Sequence, residues 1–195
     1  MVIEAIFHIQ IPGCDASWFE RQALPLLSIC NSVSLLGSEM IAAAGNKGRS
    51  GQARPQAEFP AAFPNVLGVG ALRKYQNLPN PNTRLEAASY SNFSDRPQGS
   101  GIATLGGEPG VGNGILGIYV GEFPASSSRG PTPSSNGWAY WCGTSFAAAI
   151  MSGMTANKLS NMPSGSTPRD AINELFGAQA YWTRENEDIL YVRQC

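Results

Sequence analysis

One histidine, His8, and four cysteines are the scarce reactive residues of this 195-residue chain. Cys14, Cys30, Cys142 and Cys195 show no C-x-x-C spacing, so with a single imidazole they make a poor zinc framework, and buried or unpaired thiols are the simpler expectation. Charge is scarce too. The charged fraction is 14% and the formal net charge is -1, which excludes a nucleic-acid binder running on basic charge. The longest central apolar stretch, residues 146–151, is far shorter than the roughly 18 residues that cross a bilayer, so no membrane span is expected. Met1 is followed by Glu4 without a basic n-region, which is not a signal peptide; either the chain stays inside or its true beginning is missing. No internal repeat is present.

What is abundant is apolar and small. Hydrophobic residues make up 43% of the chain, enough to fill one core at this length, so a single domain over residues 1–195 is expected. Residues 2–11, with Ile3, Phe7, Ile9 and Ile11, read as a strand that stops at Pro12 and Gly13. A helix follows, capped by Asp15 or Ser17, with Phe19, Ala23, Leu26 or Leu27, Cys30 and Val33 on one face. Pro25 implies a kink or restart in it, and Gly37 ends it. Residues 40–44 and 66–72 are short uncharged runs suited to strands buried on both faces, as in a parallel sheet. Strand, helix, strand is a βαβ unit.

Residues 76–140 are thick with Gly, Pro, Ser and Asn and read as loops with brief strands at 101–105 and 115–120. A helix starting at Ser145 and continuing to Leu159 is uncharged until Lys158 and belongs inside the protein. Thr167, Pro168 and Asp170 announce a further helix that stops before Gly177, and residues 189–192 add an edge strand.

Two segments carry candidate chemistry. In the first, Asn46 follows a buried strand and Gly45, so its amide projects from the carboxyl end of a parallel sheet, where α/β proteins place ligands. In the second, Ser145 stands at the first turn of a buried helix, where N–H groups and the dipole favour a developing oxyanion. Gly143 lets the backbone pass close to a substrate. Each alone has a plainer reading. Asn46 suits a left-handed turn between Gly45 and Gly48, and Ser145 suits a helix cap.

Taken together, Ala43-Ala44-Gly45-Asn46 and Gly143-Thr144-Ser145 resemble the oxyanion-asparagine and nucleophile-serine motifs of the subtilisin-like serine peptidases. The run from Phe59 through Val69-Gly70-Ala71 resembles the family's Pro-containing loop and following strand, and Tyr90-Ser91-Asn92-Phe93-Ser94 its aromatic, serine-rich stretch. Gly153, eight residues after Ser145, matches the family's helix glycine. The resemblance covers roughly residues 38–160. It implies a three-layer α/β fold with a mainly parallel sheet and a buried central helix from Ser145, truncated at its N-terminal side. It also implies Ser145 as nucleophile, Asn46 as oxyanion donor, and Ala43, Ala44, Gly45, Gly143 and Thr144 lining the substrate site. A peptide or protein would be the substrate, and neither metal nor cofactor is expected. Secretion is the family's habit.

The departures concern the general base. The family's Asp-Thr-Gly and His-Gly-Thr-His patterns are missing, His8 has no flanking glycine, and Asp15 follows His8 in reversed order and reads as a helix cap. Ala149 replaces the usual proline after the serine, and Thr104 stands where Asp or Asn is common. The chain thus looks like the carboxyl-terminal two thirds of such a domain, with little peptidase activity alone, the missing part lying upstream or on a second chain. The competing reading is a remnant that holds extended peptides without cutting them. A formal G-x-G-x-x-G at 112–117 fails as a nucleotide motif, because a strand rather than a helix follows it.

Overall fold

The computed structural model describes residues 2–5, 23–74, 85–94, 102–109, 113–120, 132–133, 137–177, 180–184 and 187–191. Its centre is a sheet in the order β1 (Val2–Ala5), β2 (Glu39–Ala43), β3 (Val66–Lys74), β5 (Ile102–Leu105), β10 (Glu187–Tyr191) and β9 (Ala180–Arg184), with β4 (Leu85–Ala87) pairing the far end of β3. β1, β2, β3 and β5 run parallel. β4 is antiparallel to β3 and pairs with Leu72 to Lys74, beyond the stretch of β3 that β2 covers. β2 therefore stops short, and the chain leaves the sheet at residue 44. That exit builds the site.

The uncharged runs become strands because both faces are covered. On one face Ile41, Leu67, Val69, Ala71 and Ile102 pack under Ala147, Ala148 and Met151 of helix α2 (Thr144–Ser160) and Ile172 of α3 (Pro168–Gly177). On the other face Met40, Ala42 and Val66 meet Ala23, Cys30 and Phe63, the first two carried by or adjoining α1 (Leu24–Leu35). The alternation along β2 is that of a strand buried on both sides, and it produces helix, sheet and helix layers. Gly70 of β3 lets another loop lie flat on the sheet: a Cβ there would come within 3.3 Å of the Ser91 and Ser94 hydroxyls.

Several expectations are refined. Pro25 sits in the first turn of α1, where its missing N–H costs no intrahelical bond, and the part of the expected helix before residue 23 lies outside the described residues. Gly37, at φ 73°, closes it with Ser38 N–H donating to Val33 O at 3.2 Å. The expected strand beyond Ala5 and the caps at Asp15 and Ser17 lie outside the described residues, as do Cys14 and Cys195, while Cys30 and Cys142 are thiols. α2 begins at Thr144 rather than Ser145, and only one face is buried: Ala149, Gly153, Ala156 and Asn157 face outward. Small residues there do not need a partner layer.

The carboxyl-terminal strand is not an edge. β10 (Glu187–Tyr191) lies between β5, to which it is parallel, and β9 (Ala180–Arg184), which pairs with it antiparallel and takes the outer position. A second small sheet orders β6 (Ile115–Ile118), β8 (Trp138–Trp141) and β7 (Thr132–Pro133). The strand at 115–118 bears out the rejection of the glycine motif. Among the described residues no helix is long and apolar enough to cross a membrane.

Candidate active site

The end of β2 is stretched over the sheet before it turns. Ala44 N–H donates to Val69 O at 2.9 Å, which prolongs the β2–β3 ladder by one residue. Gly45 then adopts φ 111°, and a Cβ there would fall 2.6 Å from both Asn92 Nδ2 and Glu58 Oε2. Only glycine satisfies the dihedral and the contact together.

Thr144 meets this turn from the start of α2, across 98 residues of sequence. Its backbone N–H and its hydroxyl both donate to Asn46 Oδ1 at 2.9 Å. The same hydroxyl oxygen accepts from Gly45 N–H at 3.1 Å. In the first turn of a helix the N–H groups lack intrahelical acceptors, so Asn46 takes the place of a cap. With Oδ1 committed to two donors, the amide cannot flip without setting its NH2 group against them. Its Nδ2 consequently lies on the Gly143 side, 3.6 Å from where a Gly143 Cβ would stand.

Ser145 is the second residue of α2 and half-buried. The N-cap position belongs to Gly143, so Ser145 does not cap this helix. Gly143 is fixed by its N–H to Gly106 O at 3.0 Å and by Phe146 N–H donating to its carbonyl at 3.1 Å. The structure thus gathers Ala43, Ala44, Gly45, Asn46, Gly143, Thr144 and Ser145 at one carboxyl end of the sheet. His8 and Asp15 lie outside the described residues.

Two further residues hold the candidate site's backbone in place and were not legible as doing so. Asn92 clamps the turn: its Nδ2 donates to Ala44 O at 3.2 Å and Gln56 O at 3.0 Å, while its Oδ1 accepts from Lys47 N–H at 2.8 Å. Its own N–H donates to Gly45 O at 3.0 Å. Tyr90, buried behind, donates its hydroxyl to Gly106 O and Gly107 O at 2.9 Å each, holding the loop that anchors Gly143. Burial, then the neighbouring Cys142, push its phenol far above the ordinary value, so it remains a donor. The Tyr90 to Ser94 motif was visible as a landmark, but only the fold shows whose backbone it holds.

The sequence matches the Subtilase family across residues 25–187, and the chain belongs to that family. Among curated proteins none matches it. Solved structures share its fold. The prenylagaramide maturation protease PagA is 24% identical with a TM-score of 0.55, covering 95% of this chain and 54% of its own. A lanthipeptide protease is 17% identical with a TM-score of 0.65, at 98% and 57%. The PatG macrocyclase, solved in complex with peptide, is 16% identical with a TM-score of 0.54, at 93% and 44%. The chain spans about half the length of these relatives.

Proposed function

We propose that this chain carries the nucleophile and the oxyanion-binding groups of a serine peptidase cleft, with Ser145 as nucleophile and Asn46 as side-chain oxyanion donor. The observation that supports this most is the double hydrogen bond from Thr144 to Asn46 Oδ1, which orients the amide beside the first turn that bears Ser145. In the reaction the Ser145 Oγ forms a bond to the carbonyl carbon of a peptide and its proton passes to a general base. The carbonyl oxygen takes the negative charge, met by Asn46 Nδ2 and the Ser145 N–H. Collapse expels the amine, which accepts that proton, and water then releases the acyl group from Ser145. Ala43 borders the cleft, while Ala44, Gly45, Gly143 and Thr144 are buried behind it and shape it by holding Asn46 and the helix start in place.

The chain's one imidazole, His8, lies outside the described residues and outside any pattern like the family's base motif. By itself the chain accordingly hydrolyses peptides little, and full activity belongs to a longer assembly that supplies base and orienting carboxylate. The test is active-site labelling by a fluorophosphonate, with the adduct located by mass spectrometry. Labelling of the isolated chain is expected to be slow, to rise with added imidazole as external base, to map to Ser145, and to fall in Asn46→Ala. An adduct on another serine, or a rate indifferent to Asn46, overturns the reading. Rapid labelling without imidazole overturns the inert-chain part alone.

A further inference from the structure

The loop that follows Asn46 borders a second hollow in the molecule. It is pinned at both ends: Gly48 N–H donates to Tyr90 O and Phe93 N–H to Pro55 O, each at 2.8 Å. Arg54 Nη1 donates to Ala88 O at 2.7 Å and to Ser91 O at 2.9 Å, which fastens the loop to the segment after β4. Between residues 49–54 and the paired ends of β3 and β4 lies a cavity of about 320 Å³. Among the described residues its lining holds three guanidiniums, Arg49, Arg54 and Arg73, against one carboxylate, Glu86. Neither residues 43–46 nor residues 143–145 border it, so it is separate from the peptidase cleft and owes nothing to that assignment. Arg73 is oriented by its partners: Nε donates to Glu86 Oε1 at 2.7 Å, Nη2 lies 2.6 Å from the same oxygen, and Nη1 stands 3.4 Å from Glu108 Oε2, outside the lining. A guanidinium has five N–H donors, so two of Arg73 remain. Arg49 is exposed, and no described carboxylate pairs with it.

We propose that this cavity binds a phosphomonoester of a small polyol, with its phosphoryl group held between Arg49 and Arg73. The donors come from two sides, the loop and β3. A planar carboxylate is filled by one guanidinium fork, whereas a phosphoryl group presents three terminal oxygens and accepts from both. Arginine matches phosphate geometry bidentately, and Arg73 is already fixed in place, so little freedom is lost when the anion arrives. The volume stands at the lower end of small-ligand pockets, which begin at ~300 Å³, and leaves room for a body of a few carbons beside the phosphoryl group. Glu86 sets both a limit and a preference. Its charge next to Arg73 opposes the anion, while its Oε2, which takes no hydrogen bond from a described residue, is an acceptor for a hydroxyl on that body.

The test is calorimetric titration of this chain, at constant ionic strength, with glycerol 3-phosphate, inorganic phosphate and acetate. Glycerol 3-phosphate is expected to bind most tightly, inorganic phosphate next, and acetate without saturation. Arg49→Gln should weaken both phosphates about tenfold, the scale of one hydrogen-bonded charge. Arg49→Lys should recover part of this, since an ammonium supplies the charge without the fork. Arg49 is exposed, so its replacement leaves the core untouched. Glu86→Gln should strengthen inorganic phosphate, because the negative charge beside Arg73 is gone. Amide shifts on adding glycerol 3-phosphate should centre on residues 49–54, 73 and 86–89. Acetate binding as tightly as phosphate, no binding of either phosphate, or phosphate binding undiminished in Arg49→Gln overturns the proposal. Shifts centred on Asn46 and Ser145 would place the anion in the cleft and overturn it as well. Inorganic phosphate binding more tightly than glycerol 3-phosphate overturns the polyol body and its contact with Glu86.

Discussion

The Asn46 side-chain oxygen receives both donors of Thr144, its N–H and its hydroxyl, at 2.9 Å each. Thr144 is fully buried, and its hydroxyl also accepts from Gly45 N–H, so one side chain sets the turn and the amide together. Thr144→Val keeps the shape and removes the hydroxyl, leaving the Gly45 N–H without that acceptor. A loss of about 1–3 kcal/mol in stability is expected for a stranded buried donor. Ser145 labelling should fall about tenfold as the amide loses one of its two restraints. Thr144→Ser restores both. Denaturant melts and labelling rates of the two variants check this, and a Thr144→Val protein that labels normally would separate the hydroxyl from the site.

Gly45→Ala tests the turn itself. The substitution asks an L-residue to hold φ 111° and drives a methyl against Asn92 Nδ2 and Glu58 Oε2. Strain of this kind costs about 1–3 kcal/mol, and relief would require the Asn92 clamp to open. The expected result is a lower unfolding midpoint together with faster amide exchange at Lys47, whose N–H is held by Asn92 Oδ1. A lower midpoint with Lys47 exchange unchanged would place the strain elsewhere.

β2 and β3 were legible because strands buried on both faces become short uncharged runs, and Ile41 and Leu67 announce nothing but burial. The two segments of the candidate site were legible for another reason: Gly45-Asn46 and Gly143-Thr144-Ser145 are sequence-local, each needing only its own turn. What links them is not local. Asn92 contributes through its contacts with Ala44, Gln56 and Lys47, partners 36 to 48 residues away, which no periodicity encodes. The misplacement of β10 has the same origin. Leu190 pairs with Ile102 on one side and Tyr181 on the other, and its central position depends on β9, whose pairing a propensity pattern does not disclose.

Glu39, at the first residue of β2 and 5% exposed in its side chain, takes a hydrogen bond of 2.6 Å from Arg169 of α3. The pair fastens the outer helix to the sheet, with Lys158 and Glu174 joining α2 to α3 nearby. Removing the guanidinium leaves a buried carboxylate with one fewer donor, so Arg169→Met should destabilise by about 1–3 kcal/mol. Arg169→Lys should recover part of this. Urea unfolding reads it as a shift in midpoint at constant slope. A fully stable Arg169→Met protein would mean that α3 is held by Ile172 and its apolar neighbours alone.

Asp170 gives the acid limb of stability a local handle. Its carboxylate accepts from the Thr167 hydroxyl at 2.7 Å and the Thr167 N–H at 2.8 Å, and its own N–H donates back to Thr167 Oγ1 at 3.2 Å, the reciprocal bonding of a helix start. The hydroxyl bond first, and the N–H bond second, hold its carboxyl below the ordinary aspartate value. Because the folded value is the lower one, the charged form stabilises α3 at any pH above the unfolded value, and that stabilisation disappears as pH falls through the folded value. The unfolded chain takes up the proton first, so acidification costs the fold. Carbon-13 titration of Asp170 should place its midpoint below that of an unfolded peptide of the same sequence. Asp170→Asn should flatten the decline of stability between about pH 5 and 2, while Thr167→Val should return the midpoint towards the ordinary value. A wild-type midpoint equal to that of the peptide would show that the bonds to Thr167 do not persist in solution.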